Sequence, residues 1–198
     1  MEYYFIKRMA DSLTRLNSKI LAWDEVVNVA LPQNNTLIFW WRHDQPQQLK
    51  LALDKGYQVV LCPRIPFYLD FVQDSTHFSG RRWKGDYSTL EKLYAFSPDT
   101  YPGIINPKNK HLVAGVQAAL WTETISSKKR LEFMLFPRIG ALAEAAWTQP
   151  ETRNFPAFKA RLAKHLVLYQ KQDIYFYNPL HPAAKPEIID IFENKAIE

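Results

Sequence analysis

The stretch Leu112-Val113-Ala114-Gly115-Val116-Gln117-Ala118-Ala119-Leu120-Trp121-Thr122-Glu123 decides the fold. Gln117 is the one polar side chain before Trp121. Such a run reads as a strand buried on both faces, of the kind found in parallel sheets. Trp121 and Glu123 stand at its C-terminal end, and a large aromatic and a carboxylate there suit a core poorly. In α/β barrels the active site lies at that end of the strands. A flat indole fits the face of a sugar ring, and a carboxylate accepts from hydroxyls. The plainer alternative is a buried Trp followed by a solvated Glu that opens a loop.

Three more strands precede this one: Ile20–Trp23, Thr36–Trp41 and Gln58–Cys62. Helices fall between and after them. Phe5, Met9, Leu13 and Leu16 recur at helical spacing from Glu2 to about Leu16. A second helix runs from about Gln47 to Lys55 and stops at Gly56. Ser88-Thr89-Leu90-Glu91 fits a capping box for a short helix through Phe96. A long apolar helix from Lys129 to Trp147 should kink or break at Pro137. Asn154 caps a last helix whose apolar stripe is Phe158, Leu162, Leu166 and Tyr169.

Apolar strands alternating with helices predict an α/β fold with a parallel sheet. Functional-looking residues at each strand end favour a barrel over an open sheet. A whole barrel needs eight strands and about 250 residues, so the expectation is a partial (β/α)8 TIM barrel of about four βα units. Four strands leave two edges that a soluble protein must cover. A missing N-terminal half, dimerisation, or a small open sheet are the three ways out. Residues 1–177 form the barrel portion, and residues 178–198 form a Pro-rich tail expected to dock on another surface.

The chain has 198 residues and is 47% hydrophobic, enough for a real core. Its net charge of +5 is scattered, without a basic stripe, which argues against nucleic acid. Cys62 is the single cysteine, so no internal disulfide forms, and it reads as a buried, inert thiol. No stretch has the length of a membrane span, and the N-terminus lacks the pattern of a signal peptide. The histidines are widely spaced, with no HxxxH or HxH pair, so neither a metal site nor a cofactor is predicted.

The strand ends supply Trp23, Trp41, Tyr68 with Asp70, and Trp121 with Glu123. Three indoles can box one pyranose ring, two carboxylates can accept from its hydroxyls, and a tyrosine hydroxyl can donate to a carbonyl. Taken singly, Trp23 and Trp41 read more readily as core than as site, and Tyr68 and Asp70 could form a solvated turn. Trp40 must point away from its neighbour Trp41 in a strand and is assigned to packing.

The ordered set of motifs resembles a known family. Ala22-Trp23-Asp24-Glu25, Trp40-Trp41-Arg42, Gly56-Tyr57-Gln58-Val59-Val60, Tyr68-Leu69-Asp70 and Leu90-Glu91-Lys92-Leu93-Tyr94-Ala95-Phe96 come first. Gln117-Ala118-Ala119-Leu120-Trp121-Thr122-Glu123, Phe136-Pro137-Arg138 and Ala143-Glu144-Ala145-Ala146-Trp147 follow. Together they are similar to the C-terminal half of the catalytic barrel of family 20 glycoside hydrolases, the β-N-acetylhexosaminidases. The resemblance implies that Tyr68 is catalytic, bonding the carbonyl oxygen of the substrate's 2-acetamido group. It implies that Trp23, Trp41 and Trp121 line the pocket of a terminal N-acetylhexosamine and that Asp70 and Glu123 bind its hydroxyls. The partner it implies is an N-acetylglucosamine- or N-acetylgalactosamine-containing glycan.

The implied mechanism is substrate-assisted retention, an exception to the two-carboxylate scheme. In the family a glutamic acid protonates the leaving oxygen and an adjacent aspartate orients the acetamido group. That pair follows a His-x-Gly-Gly stretch, which this sequence lacks, as it lacks the family's sugar-binding arginine. Asp24-Glu25 belongs to a later motif, one strand further on. The chain therefore reads as the half of a hexosaminidase that supplies the pocket and is inactive alone. The alternatives are a non-catalytic carbohydrate-binding module, a split enzyme completed by another chain, or a half barrel closed by a second copy. Members of the family are commonly exported or lysosomal, and an export signal would sit in the missing half.

Overall fold

The computed structural model describes residues 1–101 and 103–189, which divide into two compact units. The first comprises residues 1–64 and 98–117, and the second residues 65–97 and those from 118 onward.

The first unit holds a parallel four-stranded sheet in the order β1 (Ile20–Trp23), β2 (Thr36–Trp40), β3 (Gln58–Leu61), β4 (Val113–Val116). Ile20 pairs with Thr36, Leu37 with Gln58 and Val59 with Val113. Along β2, Thr36, Ile38 and Trp40 are buried while Leu37 and Phe39 are half-buried, the two-residue period of a pleated strand. Trp40, like Ile38, is fully buried; its ring centroid lies 5.0 Å from that of Tyr101 in a T-shaped pair, and its Nε1 donates to the Gln45 carbonyl. The packing role assigned to Trp40 therefore holds. Tyr57 is also buried, and its hydroxyl accepts from Leu31 N and donates to Leu31 O. Cys62 is fully buried, and burial pushes its thiol up to about 12.

Helix α1 (Glu2–Arg15) forms where its periodicity places it, but its apolar stripe is not a core face. Phe5 is 62% and Leu16 73% exposed, and Ala10 is the helix's buried residue. β4 departs from expectation in the same way. Ala114 is exposed and its neighbours are half-buried, because β4 pairs with β3 on one side only among the described residues. An edge strand cannot be buried as a central one is. Helix α2 (Pro46–Asp54) ends as predicted, with Gly56 at φ +77°, a conformation that side chains with a Cβ resist.

The second unit packs helix α3 (Leu90–Ala95) against a helical layer of α4 (Lys128–Leu135), α5 (Arg138–Trp147) and α6 (Phe155–Lys171). Thr89, not Ser88, caps α3: its hydroxyl accepts from Lys92 N at 3.1 Å. The long helix predicted from Lys129 to Trp147 breaks into α4 and α5 at Phe136-Pro137, as the proline requires. Asn154 caps α6, and Phe158, Leu162 and Leu166 are its buried stripe.

The break at Pro137 places Arg138 in the core. Its side chain is fully buried and donates to the carbonyls of Leu69, Phe71, Ser88 and Met134 at 2.5–2.9 Å, with Nε reaching Met134 O at 3.2 Å. Ser88, predicted as a cap, instead lends its carbonyl to this guanidinium.

The tail docks on this same unit as far as it is described. Glu187 accepts from Arg130 Nη1 at 2.6 Å and from the backbone N–H groups of Phe78 and Ser79. Residues 190–198 lie outside the described residues. Beneath the tail, His77 is buried with its ring 4.9 Å from Tyr177 and 5.3 Å from Phe133. Burial lowers its pKa to about 4, against the opposing pull of Glu187 and Asp74.

Two outcomes follow from this packing. Arg138→Met leaves four carbonyls without a donor, each costing about 1–3 kcal/mol, so denaturant unfolding should show a loss of at least about 3 kcal/mol. Arg138→Lys should recover only part of it, since an ammonium lacks the planar fork. A loss under about 1 kcal/mol in Arg138→Met would refute the role.

His77 stays neutral in the folded chain down to about pH 4, whereas the unfolded chain protonates near pH 6.5. Its contribution to stability is thus present above pH 6.5 and is lost as the pH falls toward 4, at up to about 1.4 kcal/mol per pH unit. His77→Phe should flatten that slope in unfolding curves taken between pH 4 and 6.5.

Candidate functional site

Each unit holds part of the predicted set. In the second, the short segment after β3 runs alongside the segment after β4, with Tyr68 opposite Ala119 in a parallel bridge. Leu69 N donates to Ala119 O at 2.7 Å, and Ala119 N donates to Phe67 O at 2.9 Å. This register fixes what comes next. Two residues on along both segments, the Trp121 N–H donates to Asp70 Oδ1 at 3.3 Å. Tyr68, predicted as catalytic, is buried, and its ring lies 6.1 Å from that of Trp121 at a tilt of 55°. Trp121 is 40% exposed, so it is not the buried core residue of the plainer alternative. Glu123 follows with its carboxylate about half in solvent.

Asp70 is fully buried, which a solvated turn would not require. Burial pushes its carboxyl above the usual range. Its own N–H, that of Trp121 and the charge of Arg81 pull it back, while Glu123 pushes it up. Arg81 reaches both acids: its Nη2 is 3.1 Å from Glu123 Oε1, and its Nε is 3.7 Å from Asp70 Oδ2. The backbone places it there, because Phe71 bridges Arg81 in parallel and Val72 N donates to Arg81 O at 3.0 Å. Gly80 makes the approach feasible. At φ +112°, a Cβ on it would stand 2.9 Å from Val72 Cγ1 and 3.1 Å from the Arg130 guanidinium.

Arg81 was absent from the residues that sequence patterns single out. Eleven loop positions on from Asp70, it is paired with it by tertiary bridges that nothing in the intervening pattern announces. Arg138 stood in a quoted motif but without a role. It flanks the site from below by holding the carbonyls of Leu69 and Phe71, the residues on either side of Asp70.

In the first unit, Trp23 is half-buried at the end of β1, its ring centroid 5.9 Å from that of Phe39 in a T-shaped pair. Trp41, one residue past β2, is half-buried and donates from Nε1 to Glu25 Oε1 at 2.9 Å. The Arg64 guanidinium covers the Trp41 ring at 4.7 Å, a cation–π contact that sequence reading missed. Asp24 is fully buried and accepts from Arg42 Nε at 2.9 Å. Burial raises the Asp24 pKa and Arg42 counters it. Asp24 and Glu25 are thus engaged in holding an arginine and an indole.

Among the described residues no group of three or more His, Cys, Asp or Glu side chains could hold a metal ion. No helix among them is long and apolar enough to cross a membrane. A cavity of about 330 Å³ in the second unit, between His77, Phe133, Tyr177 and Lys185, is lined by none of the predicted site residues.

Comparison with known proteins identifies the family and the fold. The profile of the glycosyl hydrolase family 20 catalytic domain matches residues 1–150. A β-N-acetylhexosaminidase of Cellulomonas fimi is 32% identical over 153 residues, 77% of this chain and 30% of that protein. A β-hexosaminidase of Porphyromonas gingivalis is 29% identical over 99% of this chain, which spans 25% of its length. Among solved structures, the family 20 exo-β-N-acetylglucosaminidase of Vibrio harveyi in complex with N-acetylglucosamine superposes with a TM-score of 0.78 at 30% identity, over 89% of this chain and 27% of its own. The family 20 β-N-acetylhexosaminidase of Streptomyces coelicolor gives 0.79 at 27% identity, over 89% and 36%. The chain thus spans between a quarter and just over a third of the length of these relatives. Its parallel strands and flanking helices are those of a partial (β/α)8 barrel. By its profile match and its relatives, the chain belongs to glycosyl hydrolase family 20.

Proposed function

We propose that this chain supplies sugar-recognising groups of a β-N-acetylhexosaminidase and does not hydrolyse glycosides by itself. The observation that carries this reading is the row Asp70–Arg81–Glu123 beside Tyr68 and Trp121. An indole face, a phenol and two acids with different exposures match a ring with an apolar side and several hydroxyls. On the family resemblance, Trp121 packs on a terminal N-acetylhexosamine, Asp70 and Glu123 accept from its hydroxyls, and Tyr68 donates to its acetamido carbonyl. Trp23 and Trp41 keep their assignment as sugar-facing indoles.

Substrate-assisted retention then runs as follows. The acetamido oxygen attacks the anomeric carbon as the bond to the leaving oxygen breaks, and a general acid protonates that oxygen. Tyr68 would hold the attacking carbonyl. The acid is what this chain lacks: no His-x-Gly-Gly stretch occurs in its 198 residues, and Asp24 is committed to Arg42. Loss of proton transfer alone costs about 10²- to 10⁴-fold in rate.

Titration of the purified chain with N-acetylglucosamine, followed by tryptophan fluorescence or calorimetry, should show saturable binding. Trp121→Ala should weaken it roughly ten-fold or more, and glucose should bind far less well. An aryl N-acetylglucosaminide should release no nitrophenol above the blank. Hydrolysis by the chain alone would overturn the inactivity, and equal affinity for glucose would overturn the acetamido role of Tyr68.

A further inference from the structure

Two buried polar atoms in the second unit have no hydrogen-bond partner and face each other. Asp70 Oδ2 is an acceptor on a fully buried side chain, and Arg81 Nε–H is a donor. They lie 3.7 Å apart, too far for a hydrogen bond between them. The other ends of both groups are fixed. Asp70 Oδ1 accepts from Trp121 N, and Arg81 Nη2 is 3.1 Å from Glu123. Beneath them, Arg138 grips the carbonyls on either side of Asp70, so the gap cannot close by a slide of that backbone. The bridge of Phe71 to Arg81 and the bond from Val72 N to Arg81 O hold the Arg81 backbone beside Asp70.

A donor and an acceptor at this spacing match a group that both takes a hydrogen bond and gives one, a water or, in its place, a sugar hydroxyl. An oxygen about 2.8 Å from both atoms completes both bonds. A carbonyl would leave Asp70 without a donor, and an ammonium would meet Arg81 with like charge. We infer that Arg81 is a specificity-determining residue that, paired with Asp70, reads a single hydroxyl of the terminal sugar and aligns Glu123 as a second acceptor. The inference rests on the sugar reading above and adds a residue to it.

The test uses the full chain and measures ratios of affinity. Wild type, Arg81→Met and Arg81→Lys are titrated with N-acetylglucosamine and with its 3-, 4- and 6-deoxy analogues. In the wild type, removing the matched hydroxyl should weaken binding roughly 10- to 100-fold, the range for hydrogen bonds to charged groups. In both variants that ratio should fall several-fold without vanishing, since Asp70 still accepts from the hydroxyl while the Arg81 Nε donor is gone, and Arg81→Lys restores the charge but not the fixed fork. The acid limb of binding should also move to higher pH in Arg81→Met, because the Arg81 charge favours the Asp70 carboxylate. A purely structural arginine would lower all affinities together and leave ratio and pH limb in place. Variants that keep the wild-type ratio overturn the role of Arg81 alone. A wild type that binds no N-acetylhexosamine overturns the sugar reading and this inference together.

Discussion

The second unit depends on one buried guanidinium. Arg138 enters the core because Pro137 stops one helix and the next begins at once, which aims its side chain inward. Once buried, it must satisfy its N–H groups, and four backbone carbonyls do so. Burial pulls its pKa down to about 9, with the Asp70 charge opposing, so it stays protonated at neutral pH. Two of those carbonyls flank Asp70. The loop bearing the site is thereby tied to the helical layer by its backbone. Its side chains remain available for other partners.

A chain of charges is built on that foundation. Asp70 sits in an environment that resists ionisation, and the nearby arginines favour its carboxylate. Arg81 links it to Glu123, which is half in solvent. An acid of each exposure on one arginine gives a fixed acceptor inside and a more adaptable one outside. The tail adds a further tie: Glu187 fastens the Phe78–Ser79 backbone and Arg130, just before Gly80 turns the chain toward Arg81. The Pro-rich composition of that segment disguised a specific ion pair, because one acid among many carries no periodic signal.

The first unit shows the other face of the same economy. Its sheet is ordered β1 to β4 with an exposed apolar stripe on α1 and an exposed Leu21 on β1. A periodic stripe announces that a helix has an apolar side. What covers that side is decided by neighbours, and here the described residues supply little beyond the contact at Ala10. The same distinction separates Trp40 from Trp41. Adjacent in sequence and identical in chemistry, they part by the alternation of a strand, one into the core and one beneath the Arg64 guanidinium.

By itself the sequence determined the order and type of the elements, the breaks at Pro137 and Gly56, the cap at Asn154 and the family. Those features follow from local rules: apolar period, fixed proline geometry, glycine's freedom at positive φ and the reach of a short side chain to a nearby N–H. It also named Tyr68, Asp70, Trp121 and Glu123, which the parallel register brings to one place. Tertiary structure alone decided that β4 has a single strand neighbour among the described residues, that Thr89 caps where Ser88 was expected, and that Arg81 and Arg138 govern Asp70. Those outcomes depend on contacts between residues far apart in the chain, and such a contact is set by where the backbone returns rather than by the residues beside it.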